Sequence, residues 1–420
     1  MLITGVNRNF DVTVNLVGSK SASNRALMIA YYGGFTPRIK NLSESDDTKL
    51  LNEILNSLRS PTNPTNPNNP KNPITISCHN AGTVFRFLLT ALSLDTGRPS
   101  HDYILTGSDR MLQRPIGDLV DALRSIGANI KYMGQEGYPP LHVGTRRATS
   151  AQHISVDITK SSQYASSLLL AMPLLVWTRR ATSVHLDGDL SSLPYIDLTI
   201  DIMQHFGVKI HRDGRDIFIE PSEYQDVEYC VESDWTCASY WYEAVALSDN
   251  GRARLRNLNL DSKQGDAIVA KWFEQFGVKS IQDGDDVVIS RVEMGEKSSS
   301  DVKTIFEDAN NDTLLQFDFI NNPDLYPTIA ATCAGLGVEA HFTGLRNLIH
   351  KESDRVAAME AVLGKIHDNP IIFDTYDDHR IAMALAPLAI KIGAIEINNA
   401  DVVSKSYPNF WNEFSQLFPS

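Results

Sequence analysis

The residues best suited to chemistry form the run Gly-Ser-Lys-Ser-Ala-Ser-Asn-Arg, which starts at Gly18 and ends at Arg25. Small hydroxyl residues and backbone amides at a helix start, with a Lys and an Arg directed to the same side, form a receptor for an anion such as phosphate or carboxylate. The same pattern also fits an ordinary capped helix whose Lys20 and Arg25 are solvated. Taken alone, this run leaves both interpretations open.

The flanking sequence predicts the elements that position this run. Val12, Val14 and Leu16 alternate with polar residues, as in a half-buried strand, whereas residues 26–32 are apolar on nearly every face. A helix that is apolar all round is enclosed by protein. The polar run is therefore predicted to be the turn between a strand and a buried helix.

This strand, turn and buried helix recur five more times along the chain. Each further helix is apolar all round and opens with Ser, Thr, Asn, Asp or Pro, which are typical of helix N-termini. The five further copies are 74–94, 153–175, 229–247, 314–336 and 371–390.

A second module, an amphipathic helix followed by two strands, lies between these copies. Residues 206–219 and 276–289 match almost position for position, and 125–143 is a looser copy. The Gly after each helix predicts a C-cap, and the Asp-Gly pair predicts the turn between two strands. Six βαβαββ units in 420 residues predict an α/β protein with two domains of three units. In one unit the Pro- and Asn-rich tract 60–73 replaces the turn and predicts an extended surface loop without chemistry.

Composition argues against several classes of partner. Lys and Arg number 38 and Asp and Glu 51, a net charge of −13, which repels nucleic acid and anionic membranes. The N-terminus lacks a signal-peptide core, and the longest apolar run, 168–177, is too short to span a bilayer. We therefore expect a cytoplasmic protein without nucleic-acid or membrane partners.

The four cysteines predict no metal site. Their sequence has neither a close CxxC pair nor zinc-ligand spacing, so reduced and mostly buried thiols are expected. They are Cys78, Cys230, Cys237 and Cys333.

Eight motifs occur in the order found in the 5-enolpyruvylshikimate-3-phosphate synthase family, which the chain resembles from about residue 12 to residue 412. They are GSKSASNR (18–25), NAGTVFR (80–86), LTGSDRMLQRPIGDLVDAL (105–123), SSQ (161–163), SLPYID (192–197), KESDR (351–355), DDHR (377–380) and SKSYP (404–408).

The resemblance implies transfer of the enolpyruvyl group of phosphoenolpyruvate to the 5-hydroxyl of shikimate 3-phosphate, a step towards chorismate and the aromatic amino acids. It implies no cofactor and no metal, and we expect a monomer. The implied fold is an inverted α/β barrel-like arrangement of two domains, each of three βαβαββ repeats with buried parallel helices. The first domain would be 1–19 plus 233–420 and the second 20–232, with the active site in the cleft between them.

The resemblance also implies which residues bind the two substrates. Phosphoenolpyruvate would contact Lys20, Gly82, Arg110, Arg355, Arg380 and Lys405. Shikimate 3-phosphate would contact Ser21, Arg25, Ser161, Ser162, Gln163, Ser192, Asp324 and Lys351. Further substrate-binding residues would be Asn80, Thr83, Arg86, Tyr195, Asn347 and His379. Both substrates carry a phosphate and a carboxylate, which explains the many cations.

Addition followed by elimination needs a base for the hydroxyl and an acid for the methylene carbon. By resemblance Asp324 is the base, and Glu352 moves the proton at the methylene with Lys20. Other roles stay open at this point. Asp324 also fits a helix cap before Pro327, and Glu352 also fits a surface ion pair with Arg355.

Four positions depart from the pattern of the family, which usually has Pro, Gly, Pro and Arg there. They are Val17, His79, Phe87 and Ile349. The first three indicate packing changes, and Ile349 removes one possible cation. Gly82 retains the open space beside phosphoenolpyruvate, so the resemblance predicts sensitivity to glyphosate.

Two other functions remain as alternatives. One is the related enolpyruvyl transfer to a UDP-linked N-acetylglucosamine, which relies on a Lys-Asn pair near the start of the chain and on a loop cysteine. The other is a non-catalytic anion-binding relative. Serine and glutamine at 161–163 and KESDR at 351–355 favour the shikimate branch, and the presence of Lys20, Asp324 and Glu352 favours catalysis.

Overall fold

The computed structural model describes residues 1–59, 73–94, 101–144, 153–175, 182–292 and 314–419. Its strands are β1 (Leu2–Ile3), β2 (Asn9–Val14), β3 (Ile39–Lys40), β4 (Ile74–Ser77), β5 (Tyr103–Thr106), β6 (Ile130–Tyr132), β7 (Leu141–Val143), β8 (His153–Asp157), β9 (Thr182–Asp187), β10 (Ile210–Asp213), β11 (Asp216–Ile219), β12 (Tyr229–Cys230), β13 (Asn250–Leu255), β14 (Val278–Asp283), β15 (Asp286–Arg291), β16 (Leu315–Asp318), β17 (Ala340–Thr343), β18 (Ile372–Phe373) and β19 (Ile395–Ile397).

The α-helices are α1 (Lys20–Gly33), α2 (Asp46–Arg59), α3 (Gly82–Ser93), α4 (Asp109–Leu112), α5 (Gly117–Ser125), α6 (Gln163–Leu175), α7 (Leu193–His205), α8 (Trp235–Leu247), α9 (Val269–Trp272), α10 (Tyr326–Leu336), α11 (Arg355–Leu363), α12 (His379–Leu385), α13 (Ala389–Ile392) and α14 (Phe410–Phe414). Short 3-10 helices span Gly265–Ile268, Phe273–Phe276, Pro323–Leu325, Leu345–His350, Ala386–Leu388, Ala400–Lys405 and Ser415–Leu417.

The chain folds into two compact units. Unit 1 comprises Met1–Ser19 and Glu232–Ser420, and unit 2 comprises Lys20–Val231. Each unit has its own hydrophobic core, with Leu27, Leu88 and Leu168 among the buried residues of unit 2. Trp241 and Ala384 belong to the core of unit 1.

Unit 2 contains two complete βαβαββ repeats. The strands β4 and β5 are parallel, and β5 continues antiparallel to β7 and then β6. In the second repeat β8 and β9 are parallel, followed by antiparallel β11 and β10. The helices α3 and α6 pack against each other, as do α6 and α7. The two repeats thus share one order of elements, as the sequence predicts.

Unit 1 contains a third sheet of the same kind, in which β2 is parallel to β13 and antiparallel β15 and β14 follow. Its other sheets are shorter among the described residues. The strands β16 and β17 form a parallel pair, and β19 lies between parallel β18 and antiparallel β1. The buried helices α8, α10 and α12 pack against one another.

Each time the chain passes from one unit to the other, it does so between a strand and the helix that follows. The strand β2 belongs to unit 1, although α1, the helix that follows it, belongs to unit 2. Conversely, β12 pairs with β3 in unit 2, and the next helix, α8, lies in unit 1. The contiguous strand–turn–helix predicted around Gly18 is therefore divided between two units.

The prediction of a two-domain α/β fold built from repeats is confirmed. The Asp-Gly turns join β10 to β11 and β14 to β15, and Gly214 and Gly284 in these turns have φ of 57° and 62°, which glycine adopts without strain. In the tract predicted as a surface loop, 60–72 lie outside the described residues. Across the described ranges, no helix is both long and apolar enough to cross a membrane.

Candidate active site

Asp324 of unit 1 lies among three cations. One oxygen of its carboxylate accepts a hydrogen bond from Nη1 of Arg355 at 2.6 Å, and the other accepts one from Nη2 of Arg380 at 2.8 Å. The ammonium of Lys351 is 3.5 Å from the first oxygen. The short 3-10 helix Pro323–Leu325, just before α10, holds Asp324 in this place. A carboxylate and several anion-binding groups therefore share one location.

Arg355 is the centre of this cluster. Its side chain is buried, and Nε donates to Asp378 at 2.7 Å while Nη2 donates to Glu352 at 2.9 Å. Asp378 in turn caps α12, because its side chain accepts the backbone N–H of Arg380 at 3.0 Å. The planar guanidinium thus fixes three carboxylates at once, a geometry that an ammonium cannot supply.

Glu352 lies partly buried beside this guanidinium. Its side chain is 10% exposed, and its other oxygen lies 3.9 Å from the ammonium of Lys405. The ion pair with Arg355 is present, and it is partly buried. The ion pair considered as an alternative role is therefore present, but it lies largely shielded from water and not at the surface.

The surrounding charges keep Asp324 ionised. Burial on its own would raise the pKa of this carboxyl, but the positive charges of Arg380, Lys351 and Arg355 outweigh burial and hold the pKa well below its usual range. The group is thus a carboxylate across the physiological pH range, as a proton acceptor must be.

In unit 2, Lys20 is the first residue of α1, and its ammonium donates to the carboxylate of Asp47 at 3.2 Å. Both side chains are mostly buried, at 14% and 8% exposure. The lysine is held in place by a neighbouring helix, α2, and is not a solvated surface charge.

Arg25 lies one turn further along α1 and is almost fully buried. It donates to Thr199 Oγ1 at 2.7 Å, to Ser166 Oγ at 3.1 Å and to the backbone oxygens of Ser21 and Tyr195 at 2.8 and 3.0 Å. Burial lowers its pKa to about 10. Four of the five N–H groups of the guanidinium are thus used inside unit 2, which ties α1 to α6 and α7.

A second cationic cluster lies at the start of α3. Arg86 donates to Oε1 of Gln163 at 2.7 Å, and Nε2 of Gln163 donates to Thr83 at 2.7 Å. A Cβ atom at Gly82 would lie 2.7 Å from Nη1 of Arg86 and 2.6 Å from Nη1 of Arg114. A side chain at position 82 would therefore require the ends of two arginine side chains to shift.

The comparisons with known proteins agree with this chemistry. The sequence model of the family described as EPSP synthase (3-phosphoshikimate 1-carboxyvinyltransferase) matches residues 6–414. A 3-phosphoshikimate 1-carboxyvinyltransferase of Bacteroides fragilis is 36% identical over 423 residues, which cover 96% of this chain and 94% of that protein. The chain belongs to the EPSP synthase family.

Another protein named 3-phosphoshikimate 1-carboxyvinyltransferase, from Vibrio cholerae serotype O1, is 35% identical over 440 residues, which cover 96% of each chain. The fold is also similar to a solved EPSP synthase from Acinetobacter baumannii, with a TM-score of 0.69 over 99% of this chain and 98% of that chain. The sequence identity to that structure is 20%, so it supports the fold alone.

The structure places most of the residues expected from the EPSP synthase resemblance at or near the starts of helices, whereas Lys405 ends the 3-10 helix Ala400–Lys405 and Lys351 follows the 3-10 helix Leu345–His350. In unit 1 it brings together Asp324, Lys351, Glu352, Arg355, Arg380 and Lys405. In unit 2 it brings together Gly82, Thr83, Arg86 and Gln163, and joins Arg25 to Ser21 and Tyr195. Helix starts offer backbone N–H groups and a favourable dipole to anions.

The other expected residues lie close to these clusters in sequence or in the same helices. Ser161 accepts the backbone N–H of Gln163 at 3.3 Å, and Ser162 is buried beside it. Ser192 precedes α7 with φ of 55°, and the backbone oxygen of Asn80 accepts from Arg114 at 3.5 Å. Arg110 is in α4, Asn347 is in the 3-10 helix Leu345–His350, and His379 begins α12.

Three residues of these clusters were missed by the sequence reasoning. They are Asp47, Arg114 and Asp378, which contact Lys20, the Gly82 region and Arg355. A usable signal existed for Asp378, because Asp followed by a helix start is a capping pattern. Arg114 lies within the motif 105–123, and no sequence signal links Asp47 to a lysine 27 positions away.

Three of the departures from the family pattern concern packing or the surface. Phe87 is fully buried and lies 5.7 Å below the guanidinium of Arg25. His79 has φ of 46°, and its backbone oxygen accepts from Ser108. Ile349 is 43% exposed. Val17, the fourth departure, accepts the backbone N–H of Asp234 at 2.9 Å.

The four cysteines are mostly buried thiols. Cys78, Cys237 and Cys333 are buried thiols, whereas Cys230 is exposed. Burial raises the pKa of Cys333 to about 12, which keeps it unreactive. Among the residues with described positions, no group of three or more His, Cys, Asp or Glu could hold a metal ion.

Proposed function

We propose that this chain transfers the enolpyruvyl group of phosphoenolpyruvate to the 5-hydroxyl of shikimate 3-phosphate and releases phosphate. Membership of the EPSP synthase family supports the reaction. The observation that carries the assignment of residues is the carboxylate of Asp324, held at 2.6 to 3.5 Å among Arg355, Arg380 and Lys351.

The reaction needs anion binding on both sides of the transferred group. Cations at the helix starts of unit 1 and unit 2 suit the phosphate and the carboxylate that each substrate carries. We propose that residues of both units bind the substrates. Phosphoenolpyruvate is then bound by Lys20, Arg110, Arg355, Arg380 and Lys405. Shikimate 3-phosphate is bound by Lys351 and by the serines at 161 and 162.

Proton transfer completes the addition and the elimination. Asp324 accepts the proton of the 5-hydroxyl while the hydroxyl oxygen bonds to C2 of phosphoenolpyruvate. In the same step the methylene carbon gains a proton through Glu352 and Lys20. That carbon then loses a proton as the C2–O bond to phosphate breaks. Substrate anions also draw Arg380 and Lys351 away from Asp324, which raises the basicity of its carboxylate.

Replacing either acid residue by its amide tests this proposal. We expect Asp324→Asn and Glu352→Gln each to lower kcat by about 100-fold or more while the Kd of each substrate stays within about threefold, as for loss of general acid–base catalysis. Phosphate release from phosphoenolpyruvate and calorimetric binding are the measurements. Near-normal turnover in either variant removes that residue from the mechanism.

The control for these variants is Glu413→Gln. Glu413 is also buried in unit 1, and its carboxylate accepts hydrogen bonds from Asn15, Asn409 and Gln416, away from the cluster at Asp324. This change should leave kcat within twofold of the wild type.

Assaying phosphate release with either acceptor tests the reaction itself. Phosphate release with shikimate 3-phosphate and none with UDP-N-acetylglucosamine supports the proposal. The reverse result supports the UDP-sugar transferase, and no release with either acceptor supports an anion-binding relative. Cytoplasmic location, a monomeric state and inhibition by glyphosate below millimolar concentration stay predictions.

A further inference from the structure

Asp266 is a buried carboxyl that the proposed chemistry does not use. It lies in the 3-10 helix Gly265–Ile268 of unit 1 and is 5% exposed. One oxygen accepts the hydroxyl of Thr236 at 2.5 Å, and the other accepts the amide Nδ2 of Asn322 at 3.2 Å. The carboxyl therefore links the first turn of α8 to the segment that leads into α10.

Asn322 leads directly into the turn that carries Asp324. Its backbone N–H donates to Phe319 at 3.2 Å, and its backbone oxygen accepts from Leu325 at 3.1 Å. The side chain of Asn322 is buried, so its amide loses a partner at a cost if Asp266 is removed. Asp266 is thus one hydrogen bond and two residues away from the base of the proposed reaction.

The segment before Asp266 is itself firmly held. Nε2 of Gln264 donates to the backbone oxygen of Ser233 at 2.7 Å and to Glu232 at 2.9 Å. Oε1 of Gln264 accepts the backbone N–H of Trp235 at 3.3 Å. Asp266 therefore offers Asn322 a fixed acceptor and not a mobile one.

We propose that Asp266 is a positioning residue for the enolpyruvyl transfer, which holds the amide of Asn322 and thereby fixes the direction of the Asp324 carboxylate. This inference rests on the proposed function of Asp324. Misplacing a catalytic group by about 1 Å lowers the rate about 100-fold. An anchor that prevents such a displacement therefore offsets the free-energy cost of burying its charge.

The charges around Asp266 give the anchor a pH dependence. Burial and the like charge of Asp324 raise the pKa of Asp266 to about 6, against the opposing effects of Thr236, Arg380 and Asn322. A protonated Asp266 has one acceptor oxygen fewer for Asn322 and Thr236. Turnover should therefore fall as the pH drops through this value.

The test compares Asp266→Asn and Asp266→Ala with the wild type. We expect kcat to fall about tenfold in the first and about 100-fold in the second, with KM for both substrates within about twofold, since only positioning is lost. The wild-type dependence of kcat on pH should contain a step near pH 6 that the Asn variant lacks. The phosphates of the substrates titrate in the same range, but they affect both proteins equally, so the difference between the two pH profiles reports Asp266 alone.

The control is again Glu413→Gln, a buried acid whose removal should change neither kcat nor the step. A kcat of Asp266→Ala within twofold of the wild type, or a raised KM at unchanged kcat, overturns the proposal. If the Ala variant does not fold, the isosteric Asn variant decides: loss of the pH step supports the proposal, and its retention overturns it.

A second readout separates this inference from the proposed reaction. If the wild type itself transfers no enolpyruvyl group, the proposed function fails, and crystal structures of the wild type and the Asp266 variants test the anchor alone. A displacement of the Asp324 carboxylate by about 1 Å supports the anchor, and an unmoved carboxylate overturns it.

Discussion

Arg355 shows how one side chain can organise a reaction site. Its guanidinium binds Asp324, Glu352 and Asp378, so the proposed base, the proposed proton carrier and the cap of α12 share one partner. Three carboxylates this close would repel one another without it. The cation therefore stabilises the fold and the catalytic geometry through the same hydrogen bonds.

Arg355→Lys should damage both properties. An ammonium cannot reach three carboxylates with the same geometry, so we expect a loss of about 3 kcal/mol in the free energy of unfolding and about 100-fold in kcat/KM. Urea unfolding and initial rates are the measurements. The control is Arg252→Lys, since Arg252 pairs with Asp11 at the surface and should cost below about 0.5 kcal/mol. Equal losses in both variants would contradict the buried role.

For single residues, the sequence predicted which residue types belong to the site better than it predicted which side chains contact one another. The motifs singled out Arg25, but its near-complete burial and its bonds to Thr199 and Ser166 join residues more than 100 positions apart. Such pairings depend on how helices pack, which local patterns do not encode. For the same reason Asp47 and Asp266 carried no recognisable signal.

Among the helices, α8 shows what a fully enclosed helix tolerates. Every residue of α8 is buried, and these include Glu243, whose two carboxylate oxygens have no hydrogen-bond partner among the described residues. Burial raises the pKa of Glu243 well above its usual value, so the folded protein keeps this group protonated. Cys333, which also faces Glu243, stays a neutral thiol.

Glu243→Gln should change how stability depends on pH. Between the unfolded pKa of about 4.5 and the raised folded pKa, the unfolded chain gives up a proton that the folded chain keeps. Wild-type stability therefore falls with rising pH by up to about 1.4 kcal/mol per unit from this group, and the Gln variant lacks that contribution. Urea unfolding at several pH values between about 5 and 8 measures the difference, and a constant difference would refute the idea.

The elements were largely predictable because period and capping are local signals. The buried helices, their polar N-termini and the Asp-Gly hairpins occur where the sequence predicted them. The repeats alone could not predict that β2 and β12 each belong to a different unit from the helix that follows, since both strands stand directly before that helix in sequence. The resemblance to the EPSP synthase family implied a division at 19–20 and 232–233, but the local sequence patterns contain no sign of it.

For the whole molecule, the contrast is between a net charge of −13 and local clusters of cations. Anionic substrates must approach an acidic surface to reach Arg380 and Arg86. We expect salt to act on this approach in two opposing ways, by screening the surface repulsion and the local attraction.

Raising KCl from about 0.05 to about 0.5 M should raise KM for both substrates several-fold and leave kcat within about twofold, because close cations dominate at the site. Initial rates over the salt series test this prediction. A KM that falls with salt would mean that repulsion by the acidic surface governs the approach.

The two points where the chain passes between the units have a consequence for how the protein can be divided. The backbone N–H of Ser19 donates to the oxygen of Glu232 at 2.9 Å, so both ends of unit 2 leave unit 1 at adjacent points. Unit 2 is an insertion into a loop of its host, and a few flexible residues joining Ser19 to Glu232 would close the gap that its excision leaves. We expect that each unit can then be made as a separate polypeptide, and mixing the two would show whether activity needs the covalent connection.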